Sequence, residues 1–574
     1  MNKRIFIVCA IVILVVSAFL IACTSAPAQE KSVVKETPLI AAKETLPAPT
    51  VAAPQATKPA QPATTPTAET FKRGGTLVVG VNSAPSIFDP ADHRDRITET
   101  VIRQWADPLI MYWPDTKRHL QLAESIKQIE PKVWEVKLRK GITFHNGDPF
   151  TAADVKFTFE RLIKDSAIEY PKPHISPRKS LIEPLERVEQ IDEYTVRMHL
   201  SAVHPDFVSG LFSQEIVPKK YIETVGTQGY LKQPIGTGPF KFVQGELTGP
   251  IILERYAGYH GGPVEVPPVG AAFVDKVIFQ IIPEASARMA ALQKGEVDIA
   301  IAVPPQMVAQ LKANPNIKIK TAPGTTVYTI DLNTSQPPFN DARVRRAMNH
   351  AVDLGGIVTK LFEGYAIPLA GPLGVHNQFY DKDLKPYGYD VKKAKDLLAE
   401  AGWKDTNGDG ILDKDGKPFS VVLDVPPTHH KDVAEAVANQ LAAVGIEAKV
   451  RLWESAALTD AIKKNERIMY AMSFGDARGD PYSAFDYLYR TGDANNRAKY
   501  SNPQVDKLIE SGRTEADPAK RRAIYLEAQR IVYNDAPTIF AYQLIKVEAT
   551  RARVQNWEPN PTDRIDLYRV WLSQ

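Results

Sequence analysis

The sequence predicts an α/β protein with mostly parallel sheets. Two observations carry this. Strands of period two and amphipathic helices alternate along the chain, and glycines stand where those elements stop. Gly74-Gly75-Thr76-Leu77-Val78-Val79-Gly80 reads as a turn into a buried strand. Trp134, Val136 and Leu138 alternate with Glu135, Lys137 and Arg139, the pattern of a half-buried strand. A turn follows at Asn146-Gly147-Asp148, and Thr151-Ala-Ala-Asp154 is a capping box opening a helix with Val155, Phe159 and Leu162 on one face. Val196, Met198 and Leu200 mark another strand. From residue 270 the rhythm is regular: strand Lys276–Ile282, helix Ala285–Lys294 stopped by Gly295, strand Val297–Ala302. Helix Lys431–Val444 ends at Gly445 before strand Ile446–Leu452, and helix Pro518–Asn534 precedes strand Thr538–Leu544.

The first seventy residues are different material. Lys3 and Arg4 head an apolar run from Ile5 to Ile21, too short and wrongly flanked for a membrane span. The run ends in Leu20-Ile21-Ala22-Cys23, which resembles a bacterial lipobox and implies a signal peptide over 1–22 and a lipid on Cys23. A plain signal peptide cut elsewhere, or an uncleaved anchor, is the alternative. Of two cysteines in 574 residues, Cys9 lies inside the apolar run, so the mature chain holds Cys23 alone. It can form no internal disulfide and has no thiol for catalysis or metal binding. Residues 24–70 are rich in Ala, Thr and Pro and lack Gly; they cannot bury enough apolar surface to order themselves. Their prolines favour an extended tether with a reach on the order of 100 Å at about 3.1 Å per residue.

About 500 residues follow, too many for one core. A net charge of +3 on this length gives no support for a nucleic-acid partner. There is no Walker A loop, no H-E-x-x-H, no C-x-x-C and no G-x-S-x-G. Gly236-Thr-Gly238 lacks the third glycine of a dinucleotide loop and reads as a turn between strands. Eleven histidines are scattered, and only His429 and His430 adjoin. No catalytic constellation emerges, so the chain reads as a binding protein and not an enzyme.

Five blocks carry a family resemblance. The most specific is Trp134-Glu-Val-Lys-Leu-Arg-Lys-Gly-Ile-Thr-Phe-His-Asn-Gly-Asp-Pro-Phe-Thr-Ala-Ala-Asp-Val-Lys-Phe-Thr. Gly236-Thr-Gly-Pro-Phe-Lys, Arg288-Met-Ala-Ala-Leu-Gln-Lys-Gly-Glu-Val-Asp, Val344-Arg-Arg-Ala-Met-Asn-His-Ala-Val-Asp and Ala394-Lys-Asp-Leu-Leu-Ala-Glu-Ala-Gly-Trp support it. Over 74–574 the chain resembles the peptide/nickel (family 5) substrate-binding proteins of ABC transporters. The resemblance implies a type II periplasmic-binding-protein fold: two α/β lobes joined by crossing strands, with an extra domain inserted in the first. Carried onto this sequence, 71–328 with an insertion at about 111–200 forms lobe I, 329–537 lobe II, and 538–574 returns to lobe I. Thr325–Asn333 and Thr538–Val547 would be the crossing strands. The implied partners are a peptide-like ligand and the permease and ATPase of an importer, with membrane attachment through the lipid and a monomeric chain. A sensor that docks a receptor, or a binder of a nickel chelate or sugar, is the alternative.

Two segments offer ligand chemistry. Asp405-Thr-Asn407-Gly-Asp409-Gly410-Ile-Leu-Asp413 matches the first, third and fifth positions of an EF-hand-like calcium loop, but Gly416 replaces the glutamate of position twelve. A structural calcium and a solvated Asx-Gly turn are both open there. The second segment is Met472-Ser-Phe474-Gly-Asp476-Ala-Arg478-Gly-Asp480-Pro481-Tyr482. The resemblance implies an aspartate here that pairs with a ligand amine. Aligned on Pro481 that position is Ala477, and Asp476 stands one residue early. Phe474, Asp476, Arg478 and Asp480, with Tyr328 on the first crossing strand, are therefore the expected ligand wall. Asp480-Pro481 also fits a simple helix start.

Overall fold

The computed structural model describes residues 71–573 apart from 116, 205, 264–269, 428–430, 476–478 and 516. Cys23, the tether and the His429-His430 pair lie outside the described residues. The chain opens with β1 (Thr76–Val81) and α1 (Arg96–Ile102). Then β2 (Ala123–Glu130), β3 (Val133–Leu138), α2 (Ala152–Ile163), β4 (Leu185–Gln190) and β5 (Thr195–Leu200) build a separate antiparallel sheet in the order β2–β3–β5–β4. Val155, Phe159 and Leu162 of α2 pack onto Val136, Leu138, Val196 and Met198 of that sheet, as the apolar periodicity predicts. Thr151 and Asp154 form the predicted capping box.

The chain returns through β6 (Phe240–Gly245), β7 (Ile251–Arg255), β8 (Lys276–Ile281), α3 (Ala285–Lys294) and β9 (Ile299–Ala300). Gly295 ends α3 in the left-handed conformation, φ 82°. The long β10 (Ile317–Leu332) leads to α4 (Ala342–His350), α5 (Leu354–Leu361), β11 (Ser420–Val425), α6 (Lys431–Ala442) and β12 (Glu447–Leu452). There follow β13 (Met469–Gly475), α7 (Pro481–Tyr489), α8 (Pro503–Thr514), α9 (Pro518–Asp535) and β14 (Thr538–Arg551).

One sheet runs through both lobes in the order β12–β11–β13–β10–β14–β9–β1–β8–β7–β6. Its centre is the antiparallel pair β10–β14, registered from Ile317 opposite Arg551 to Asp331 opposite Thr538. On one side, Val79, Leu253, Phe279 and Trp105 build a first-lobe core. On the other, α4, α5 and α6 cover one face of the second lobe through Met348, Ile357 and Leu441, and α7, α8 and α9 cover the opposite face through Phe485, Ile509 and Tyr525.

The expectation of mostly parallel sheets is corrected. Among the described residues only β1–β8, β1–β9, β11–β12 and β11–β13 pair in parallel. The crossing strands must run against each other to enter and leave the second lobe, and β13 pairs antiparallel to β10 beside them. Alternation of strands and helices in sequence does not reveal this. The first crossing strand also starts earlier than expected. Pro323-Gly324 reads as a break, yet the ladder absorbs it as a register shift between Pro323 and Val327. A Cβ at Gly324 would stand 3.0 Å from the Leu544 carbonyl, so the close approach there favours glycine.

The signature block is architecture. Its His145 amide donates to Gly236 O at 3.0 Å, and the His145 ring contacts Gly238 O at 2.9 Å through Nε2. The Gly-Thr-Gly turn lies against the end of α1: a Cβ on Gly236 would fall 2.2 Å from Trp105 O. Burial pushes the His145 ring down to about 4. Burial, then the Arg178 charge, pushes His93 down to about 3. Both histidines are neutral in the fold, whereas in the unfolded chain they titrate near 6.5. Protons therefore bind the unfolded chain first. Stability is full above that value and falls as pH drops from about 6.5 toward 4, by about 1.4 kcal/mol per pH unit for each ring. Urea unfolding at pH 7.5, 6 and 5 should show this slope, and His145→Gln should remove one ring's share of it.

Candidate functional site

A cavity of about 1110 Å³ lies between the two lobes. The first lobe supplies Tyr112, Arg118, Trp134 and Asp206, the second Phe379, Asp480 and Arg521, and β10 contributes Thr325 at the crossing. Tyr112 and Arg118 face each other across a hairpin in which Ile110–Tyr112 pairs with Arg118–Leu120. Trp134 stands near the start of β3 against Phe207, with ring centroids 6.4 Å apart. Its indole N–H is buried and has no partner among the described residues.

Beside the cavity the lobes touch. Arg513 Nη2 of α8 donates to Val203 O at 3.2 Å, and the His204 ring meets Tyr482 edge-on at 5.5 Å. Lys117 and Arg118 are exposed on the cavity wall, and neither side chain forms an ion pair among the described residues. The nearby Asp115 is engaged, accepting from the Lys117 amide at 2.9 Å and facing His119 Nε2 at 3.0 Å.

The expected ligand wall is only partly brought together. Asp476 and Arg478 lie outside the described residues. Asp480 lines the cavity, but its carboxylate is occupied. It caps α7 by accepting from the Tyr482 amide at 2.8 Å, and it accepts from Arg521 Nη1 at 2.6 Å and Nη2 at 2.8 Å. Burial would lower the Arg521 guanidinium, but these bonds and the nearby Asp206 push it above its usual range. The reading of Asp480 as a partner for a ligand amine is therefore corrected: a bidentate pair already neutralises it. Phe474 lines a separate narrow pocket. Tyr328 lines neither; it points to the other face of β10 and stacks on Tyr542 at 4.8 Å. The period of two decides this, since Val327, Thr329 and Asp331 take the opposite face.

Arg521, Trp134 and the Lys117-Arg118 pair escaped the sequence reading. Arg521 sits in Lys520-Arg521-Arg522, which reads as a solvated helix face. The one available signal was that Asp480-Pro481 and Asp517-Pro518 both start helices, which packing then sets side by side.

The candidate calcium loop closes on itself. Asp405 accepts from the Gly408 amide at 2.7 Å and the Gly410 amide at 3.0 Å. Asp409 accepts from Ile411 N at 2.8 Å and from the Asn407 amide at 3.0 Å, and Asp413 from Thr406 Oγ1 at 3.1 Å. Among the described residues no group of three or more His, Cys, Asp or Glu side chains is placed to hold a metal. The calcium expectation for Asp405, Asn407, Asp409 and Asp413 is not carried further, because the oxygens that would converge on an ion face the loop's own donors.

Removing Asp480 should unmask its structural role. Asp480→Ala strands a largely buried Arg521 and should lower the stability of the ligand-free chain by about 3–5 kcal/mol in urea unfolding. A residue serving ligand alone would leave that stability unchanged.

Known proteins resemble this chain over most of its length. The family model for bacterial extracellular solute-binding proteins, family 5 Middle, matches residues 117–496. The oligopeptide-binding protein AppA of Bacillus subtilis (strain 168) is 31% identical over 522 residues, 88% of this chain and 92% of that protein. The structure of Bacillus subtilis AppA in complex with a nonapeptide superposes with a TM-score of 0.66 at 29% identity, covering 88% of this chain and 100% of that one. DppA from Helicobacter pylori in complex with the peptide STSA gives a TM-score of 0.68 at 27% identity, covering 88% and 99%. The chain belongs to the bacterial extracellular solute-binding proteins, family 5.

Proposed function

We propose that this protein captures a short peptide between its lobes and delivers it to the permease and ATPase of an ABC importer. The observation that carries the reading is the interlobe cavity. At about 1110 Å³ it lies just above the usual range for small-ligand sites and mixes aromatic walls with polar groups of both lobes. The relatives AppA and DppA hold a nonapeptide and a tetrapeptide. In this chain the Trp134 ring would offer an apolar face to the ligand, and Lys117 and Arg118 would meet an anionic group. We take 71–328 with 538–574 as one lobe and 329–537 as the other, closing by hinge motion about β10 and β14.

The chemistry is capture and release without turnover. The folded chain recovered from cells and denatured should release peptides to mass spectrometry, and a peptide bound and recovered should be intact. Release of no peptide, with no binding of peptides added afterwards, would overturn the reading. Binding in a cell whose permease neighbour is deleted without loss of peptide uptake would favour a receptor-docking sensor instead.

The protein acts at the outer face of the membrane, held by a lipid on Cys23 and an extended tether over 24–70. This reading is supported by the lipobox-like Leu20-Ile21-Ala22-Cys23. Two acyl chains suffice for stable anchoring where one is marginal. Cys23→Ala should move folded protein into the soluble fraction; retention in the membrane after a salt wash would refute the anchor.

A further inference from the structure

A narrow second pocket lies further along β10, its lining starting two residues after the last β10 residue of the main cavity. Thr325 lines the main cavity, and Val327, Thr329 and Asp331 line the narrow one. The pocket has about 20 Å³ of room, enough for one small polar group. Met472, Phe474 and Leu488 give it apolar walls, and Asp331 and Arg497 also line it.

These two charged residues are not equivalent. One oxygen of the Asp331 carboxylate, Oδ1, is already engaged, accepting from Thr329 Oγ1 at 2.8 Å and Thr538 Oγ1 at 3.1 Å. Burial pushes its carboxyl up, with Arg497 and the two threonines holding it back. Arg497 is half-buried, and its guanidinium makes no hydrogen bond or ion pair with any described residue. Asp331 lies within electrostatic reach of it without direct contact. A guanidinium carries five N–H donors in a planar fork that matches a carboxylate. Against apolar walls those donors gain most from an anionic partner brought in from outside.

We propose that this pocket is a subsite of the peptide cleft that takes a carboxylate of the captured ligand, paired with Arg497. Methylene groups next to the carboxylate lie on Met472 and Phe474. The proposal rests on the peptide reading above and adds a chemical preference to it: an acidic side chain, or the peptide's own C-terminus.

The test uses the full-length folded chain with a random tetrapeptide library in two forms, free acid and C-terminal amide, and reads retained peptides by mass spectrometry. If a side chain fills the pocket, Asp and Glu are enriched at one position in both forms. If the C-terminus fills it, only the free-acid form is retained. In either case Arg497→Met should lower retention of those peptides about ten- to a hundredfold, and Arg497→Lys should restore part of it. Melting of each variant without peptide separates loss of binding from loss of fold. A retained pool with neither an acidic preference nor dependence on the C-terminal charge overturns the subsite while leaving peptide capture intact. So does a pool unchanged by Arg497→Met, or one enriched in Lys and Arg, which would make Asp331 the reader. Retention of no peptide in either form would overturn the peptide reading and the subsite with it.

Discussion

The antiparallel pairing of β10 with β14 is the constraint on which the rest of the molecule hangs. Both strands pass from one lobe to the other, and their ladder is continuous except for register shifts between Pro323 and Val327 and between Tyr328 and Thr329. Every strand of the second lobe's sheet reaches the first lobe only through this pair, and β9 and β1 attach to its other side. Main-chain hydrogen bonds hold the pair without reference to side chains, so the side chains on its two faces are free to differ. Those near the crossing, Thr325 and Val327, line the main cavity and the narrow pocket respectively. A bulge at that point gives the strands local twist and a natural place to bend.

Around this frame the chain buries charge in matched sets. In the first lobe Glu99 of α1 is held by Arg103 at 2.9 Å and Arg564 at 2.7 Å, and Arg103 reaches Glu215 at 2.8 Å. Burial alone would raise the Glu99 carboxyl, but Arg564, Arg103, Arg96 and Arg178 together hold it well below the usual range. The cluster ties α1 to the C-terminal segment and to residue 215, three stretches far apart in sequence. Such a network adds little net stability over an apolar core, but it penalises any arrangement that separates its members. The Asp480–Arg521 pair does the same in the second lobe, locking the start of α7 to the first turn of α9.

The cleft contrasts with these clusters. The Lys117, Arg118 and Arg497 side chains form no ion pair among the described residues, while Asp480 and Asp115 are satisfied internally. Groups already paired hold the walls in place, and groups left unpaired are available to a ligand. The position at which the family resemblance places an amine-binding aspartate is alanine here, and the neighbouring Asp480 serves the fold. The cavity wall thus presents the cationic Lys117 and Arg118 beside carboxylates that the protein already engages.

The sequence alone determined the class of elements, their order and the family. Local physics suffices for these: the capping box at Thr151, the alternation in β3 and the glycine stop at Gly295 are each decided within a few residues. It also exposed Gly236-Thr-Gly238 as a tight turn, though only packing showed that the Trp105 backbone sits where a side chain would be. Tertiary structure alone decided strand direction within the sheet, because antiparallel and parallel neighbours share the same period of two. It alone decided which face of β10 Tyr328 takes, since a one-residue register shift exchanges the faces. And it alone decided that Asp480 belongs to the fold, because its partner Arg521 lies 41 residues away on another helix and no local pattern links them. A charged residue's role depends on whether its partner comes from the protein or from outside, and that is a question of packing.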